Sequence, residues 1–243
     1  MPPELILIGT VHLDPRGYQK LSALLSTIAP DLITLEFSPY GRGFRTKNRR
    51  RLSQKLLGLY LRTLAQTRHQ SCLPEHRVFP LPIQSLLATI NYPFEFLAVR
   101  CYAQTHKVPF YCIDVSRISR EKIRALKQEA ICQKNICRLL TAPDKTLQQT
   151  VDMCYKKARR LWNGNMSGGT NGLWNASGDA ERELHMGRRI RNLVKHNPHK
   201  RLVHVGGWEH MIDHPGAVTL YSVLKDLSPQ RLVLADDISP RDP

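Results

Sequence analysis

The sequence predicts an α/β fold, a mostly parallel central sheet flanked by helices, with residues 1–243 forming a single domain. Three observations carry this. The runs LILIGTVH, DLITLEF, VPFYCIDV and RLVHVGG are short and almost continuously apolar, the pattern of strands buried on both faces. Segments with helical spacing separate them. The first two runs and the helix between them span about 35 residues, which makes a β-α-β unit with parallel strands and a right-handed crossover.

Taken in order, the first run turns at Gly9, and Pro15 to Ala29 then places Tyr18, Leu21, Leu25 and Ile28 at helical spacing before Pro30 and Asp31 break the helix. DLITLEF follows as the second strand. Pro39 to Arg51 reads as a Gly-rich basic loop leading into a helix over Leu52 to His69, within a helical insertion over about 41–110. Helices are predicted again from Pro82 to His106, and VPFYCIDV supplies the third strand. Ser119 is a candidate N-cap two residues before Glu121, and Glu121 to Leu140 and Lys145 to Trp162 carry apolar residues at helical intervals. The segment 163–178, NGNMSGGTNGLWNASG, is too rich in Gly, Asn and Ser for a helix or strand and is expected to be a mobile, lid-like loop. Asp179 is the candidate cap of a helix through ERELHMGRRIRNLVKH, which Asn197 and Pro198 end. RLVHVGG, a helix near Gly216 to Leu227 and a last strand, RLVLADD, close the chain.

Composition excludes several classes. No apolar run approaches the roughly 18 to 20 residues of a membrane-spanning helix, and the first residues lack the basic region and cleavage site of a secretory signal. The expectation is a soluble, cytoplasmic protein. Cys72, Cys101, Cys112, Cys132, Cys137 and Cys154 form no CxxC pair, which removes zinc-ribbon and thioredoxin-like readings and predicts reduced, mostly buried thiols. No Gly-x-Ser-x-Gly elbow, P-loop or dinucleotide fingerprint is present. The net charge of +16, from 36 Lys and Arg against 20 Asp and Glu, predicts attraction to an anionic ligand or polyanion. Its clusters are RTKNRRR, YKKARR and GRRIRNLVKHNPHK. Nucleic acid is one such partner, although no homeodomain, zinc-finger, RRM or KH pattern accompanies the charge.

Chemistry-bearing residues recur at strand ends. The first run ends in His12, the second in Glu36, and RLVHVGG is followed by His210, while each histidine stands three residues after a glycine, as Gly9-Thr10-Val11-His12 and Gly207-Trp208-Glu209-His210. Ligands of open parallel sheets bind beyond the carboxyl ends of the strands, so the three side chains are aimed at a common place. Two imidazoles and a carboxylate can ligate a metal or serve as acid and base. His210 and His214 also stand four apart, a ligand spacing on a helix that Pro215 disfavours.

The ordered set GTVH, PDLITLEFSPY, AQTHKVPFYCIDVSR, ERELHMGRRI and HVGGWEH resembles the TraB/TIKI family, which is more distantly related to erythromycin esterases and ChaN-like proteins. The resemblance spans nearly the whole chain except about 41–82. It departs at Trp208 and Glu209, where the family usually carries a small residue and Gly, and at Arg117, which stands further from Asp114 than usual. It implies an α/β fold with His12, Glu36 and His210 in one site, joined by Glu181, Arg182 and Asp114. Some TIKI members are described as divalent-metal-dependent proteases, whereas the esterase relatives cleave esters. The expectation is therefore a hydrolase of a peptide, amide or ester bond, in a small molecule or peptide, assisted by Mn, Co or Zn on His12, Glu36 and His210. Glu181 or Glu209 would be the general base, and Arg182 the oxyanion or substrate-anion partner. Two other readings stay open: a non-catalytic binder of an anion, peptide or nucleic acid, and a metal- or haem-binding protein.

Overall fold

The computed structural model describes residues 4–67, 79–140, 147–162 and 178–234. Its first strand, β1 (Leu5–Thr10), is buried at every residue, and the same holds for β2 (Leu32–Leu35) and β4 (Leu202–Gly207). With β3 (Phe110–Cys112) and β5 (Gln230–Val233) they form a five-stranded sheet in the order β3-β2-β4-β1-β5, every pairing parallel. Alternate β1 residues face opposite layers. Ile6 and Ile8 pack with Leu21, Leu25, Phe96 and Val99, whereas Leu5 and Leu7 pack with Met186, Ile190, Leu220 and Leu224. Each such buried aliphatic chain contributes about 1.5–3 kcal/mol relative to an exposed one.

Among the described residues, nine α-helices flank the sheet: α1 (Gly17–Ile28), α2 (Pro39–Thr67), α3 (Leu81–Ile90), α4 (Phe94–His106), α5 (Ser116–Ala125), α6 (Gln133–Leu140), α7 (Leu147–Trp162), α8 (Gly178–His196) and α9 (Leu220–Leu224). The apolar seam of α1 ends at Ala29, which takes a left-handed conformation (φ 49°) and donates its N–H to Leu25. Leu52, Leu56, Tyr60 and Leu64 of α2 share a second apolar cluster with Ile83 and Ile90 of α3 and Ile136 of α6. No helix among the described residues is long and apolar enough to cross a membrane.

The structure corrects several expectations. The segment 39–51 is not a loop but the start of α2: Ser38 caps it, its Oγ accepting the Gly41 N–H at 2.8 Å, and Pro39 occupies the first turn, where its missing N–H costs nothing. That Ser-Pro signal outweighs Gly41 and Gly43. The helices expected over 82–106 are found as α3 and α4, parted where Pro93 cannot continue the ladder and opens α4 from an extended conformation. Ser119 caps nothing, since α5 already begins at Ser116. No described cysteine is fully buried: Cys101 is exposed and Cys112, Cys132, Cys137 and Cys154 are half-buried, all five free. The expected lid over 163–178 lies outside the described residues except for Gly178, which begins α8 ahead of the expected Asp179 cap.

Topology places the crevice. The chain leaves β1 for β2 over one face of the sheet, through α1, and leaves β4 for β5 over the other, through α9, so the connections part to opposite faces where adjacent β1 and β4 end. Such a point opens a cleft at the carboxyl edge. In register, Leu35 lies beside Val205 and Thr10 beside Gly207, which sets Glu36 and His12 on either side of the end of β4.

Candidate functional site

Three of the expected residues come together at this edge with two others from the resemblance. Glu36 follows β2 directly. Its Oε2 accepts the Gly207 N–H at 2.6 Å, and its Oε1 lies 2.5 Å from Arg182 Nη2 and 3.1 Å from His210 Nε2. A side chain at Gly206 would put Cβ 2.8 Å from Glu36 Oε2, and one at Gly207 would put it 3.1 Å from His12 Nε2. The glycine pair at the end of β4 is thus what lets the carboxylate lie against backbone. Arg182, from α8, grips Asp114 with both Nε (2.7 Å) and Nη2 (2.8 Å) while holding Glu36. Asp114 follows β3 and also accepts the Val115 N–H at 2.7 Å.

Two members of the site were not expected. Glu183, one residue past Arg182, accepts a short hydrogen bond from His210 Nδ1 and is 2% exposed. Glu95, in the first turn of α4, accepts from His12 Nδ1 at 2.7 Å and from Thr10 Oγ1 at 2.7 Å on the same Oε1. Both carry a signal in the sequence: Glu95 is in helical phase with buried Ala98, Val99 and Tyr102, and Glu183 with Met186 and Ile190. An acidic residue on an apolar stripe must face the core. The second oxygens of Glu95 and Glu183 are buried without a protein partner.

The His12 loop is fixed by Asp14, which is buried and bonded to Lys20 (2.8 Å), Tyr155 (3.0 Å) and the Arg16 N–H (2.9 Å). His12 itself keeps half its side chain open to solvent, 53% exposed, with Nε2 free of Glu95. Two cavities meet there. A narrow one of about 30 Å³, room for a water molecule, is lined by His12, Glu36, Glu95, Pro93 and Gly206. A wider one of about 200 Å³ opens outward between His12, Gln84, Ala88, Tyr92, Phe94 and Leu147.

Charge orders the site. Partial burial opposes a proton on His12, but the Glu95 carboxylate, with Glu36 behind it, outweighs this and lifts its pKa to about 9. Burial opposes the His210 cation likewise, and Glu36 and Glu183 raise it to about 10. Burial would push Glu36 up, yet His210 and Arg182 hold it well below the usual carboxylate range. His204, inside β4, is the opposite case: burial drives it to about 3, so the ring is neutral, with Nδ1 3.0 Å from Thr34 Oγ1. Because His12 and His210 are raised above the unfolded value near 6.5, their stabilisation is complete below that pH and is lost as pH rises through about 9 to 10. Thermal unfolding should therefore show Tm falling over this alkaline window, and less steeply in a His12→Gln protein.

The remaining expected residues do not join. Glu181 sits on the outer face of α8, pairing with Arg117 at 2.7 Å, both side chains more than half exposed. A helix turns about 100° per residue, so Glu181 and Glu183 cannot share the inward face. Glu181→Gln is expected to leave activity unchanged and stability within about 0.5 kcal/mol, as chemical denaturation would show. Glu209 lies near Cys154 of α7, where its charge adds to burial in raising the thiol's pKa. His214 follows a single tight turn, Trp208–Met211, rather than an α-helix, and its Nδ1 accepts the Gly216 N–H at 3.1 Å.

The expected metal set does not fit this arrangement. Among the described residues no group of three His, Cys, Asp or Glu side chains could hold a metal ion. The reason is visible in the carboxylate: Glu36 is committed to Arg182, His210 and the Gly207 N–H. Arg182 and His210 supply the positive charge that a metal would bring. Comparison with protein-family models, curated proteins and solved structures returns no match to this chain.

Proposed function

We infer that the chain is a hydrolase of a carbonyl-centred bond, a peptide, amide or ester, with His12 and Glu95 as its working pair and no metal. The observation that carries this reading is the water-sized cavity lined by Glu95, whose Oε2 lacks a partner, and by the half-exposed His12 ring, which also lines the 200 Å³ pocket. The resemblance to the TraB/TIKI group supports the reaction class, and the switch point of the sheet supports the location of the site.

The steps follow from which groups are free. A water in the small cavity gives a proton to Glu95, which lines that cavity and has an uncommitted oxygen, and the water's oxygen attacks the carbonyl carbon. Glu36 is the poorer base because three donors already hold it. His12, charged below about pH 9, then donates its Nε2 proton to the departing alcohol or amine as the carbon–heteroatom bond breaks. The products are an acid and an alcohol or amine, and the exposed ring regains its proton from solvent as Glu95 releases one. Tyr92, Phe94, Ala88 and Leu147 give the outer pocket an apolar wall, and its volume suits one aliphatic or aromatic group beside the scissile bond.

The test is hydrolysis of chromogenic ester, amide and peptide panels with apolar acyl groups in the presence of a chelator. Turnover that survives chelation and is lost in a folded His12→Ala protein supports this reading. Turnover restored only by added manganese, cobalt or zinc would overturn the metal-free assignment, and no turnover under either condition would overturn the hydrolase.

A further inference from the structure

A third cavity lies apart from the crevice, on the outer side of the sheet beyond β3. It encloses about 210 Å³ between the start of α2 and the segment following β3, and its walls are Tyr40, Phe44, Arg120, Arg124, Lys127 and Gln128, with Ile123 at its base. Three of these are cations and none is a carboxylate. Glu121, the nearest acid along α5, is taken by Arg117. The two rings stack at 6.4 Å and 24°, and the Arg120 guanidinium lies 5.0 Å over Tyr40.

Helical geometry extends the site beyond the cavity. On α2, Lys47, Arg51 and Lys55 are exposed and continue the stripe begun by Tyr40 and Phe44, at steps of three and four residues. Arg120, Arg124 and Lys127 form a matching stripe, exposed on the other wall. That wall passes from α5 into a widened π-helical turn, Leu126–Ala130, which carries Lys127 and Gln128; such turns recur at functional sites. Arg124, Lys127, Lys47, Arg51 and Lys55 have no carboxylate partner among the described residues.

We propose that this groove binds single-stranded nucleic acid, with successive phosphates on the two basic stripes and one base seated in the cavity against Tyr40 and Phe44. A row of unpaired cations suits a polyanion. The recessed aromatic cavity selects among polyanions, because an unstacked base offers a flat ring to fill it and a duplex, a heparin chain or an acidic peptide does not. The site is independent of the hydrolytic reading and shares no side chain with it.

Fluorescence anisotropy of the full chain with a labelled oligothymidylate tests this, with heparin and polyglutamate as comparators. The oligonucleotide is expected to bind with a log–log salt slope near −4, about 0.7 for each of six cations. Tyr40→Ala should weaken it on the order of tenfold or more, the loss of one base stack, while Tyr40→Phe does not and heparin affinity is unchanged. Arg124→Glu with Lys127→Glu, both at exposed positions and confirmed folded by circular dichroism, should weaken binding and flatten the slope. The proposal is overturned if the oligonucleotide does not bind, if Tyr40→Ala leaves its affinity unaltered, or if heparin and polyglutamate bind equally well with the same dependence on Tyr40.

Discussion

Replacing Arg182 by leucine is expected to cost about 3–5 kcal/mol of stability, the range for removing one partner of a buried ion network. Leucine fills part of the space but cannot answer the charges it strands. Asp114 loses both hydrogen bonds from the guanidinium, and Glu36 loses its 2.5 Å contact, with the three side chains only 10%, 8% and 5% exposed. For a chain of this length the midpoint of thermal unfolding should fall on the order of 10 °C. Lysine should rescue little of this, because a single ammonium cannot reproduce the fork that spans Asp114 and Glu36 at once. A variant that unfolds at the wild-type midpoint would mean that Arg182 is not the keystone of the site.

Glu95→Gln is expected to lower the rate of hydrolysis by about 10²–10⁴, with the fold retained. The amide oxygen can still accept from Thr10 and from His12 Nδ1, so the buried contacts persist. Its charge does not. Without this carboxylate the cavity keeps only Glu36, the poorer base, and the His12 pKa falls from about 9 toward its ordinary value, so less of the ring carries the proton it must donate. Rate measurements on the purified variant, with circular dichroism as the folding control, check both halves. A rate within a few-fold of wild type would remove Glu95 from the mechanism.

Much of this site could be read in the chain because strand ends are local features. His12, Glu36 and His210 each close an apolar run, and a parallel sheet gathers such ends at one edge whatever the order of its strands. The order itself was not legible: β4 lies between β1 and β2 because of pairings separated by some 170 to 200 residues, which no local pattern records. Glu95 and Glu183 were missed for a related reason. Both come from helices, whose inward face is set by packing, and the charged letters drew attention to Glu181 instead. Phase against Met186 and Ile190 distinguishes Glu183 from Glu181. The start of α2 was misread because Gly41, Gly43 and a run of cations suggest a loop, whereas the Ser38 cap and Pro39 decide the matter. That α8 brings a guanidinium to the Glu36 carboxylate was not legible either, since nothing in the spacing of Glu36 and Arg182 reveals their contact.

The pH dependence of kcat/KM on the best substrate of the panel tests the central claim most directly. The account predicts activity that falls as pH rises through about 9, when His12 loses the proton it must donate, with that limb moved toward neutral pH in Glu95→Gln. Activity that instead rises through the same range would make His12 a base and contradict the assigned roles.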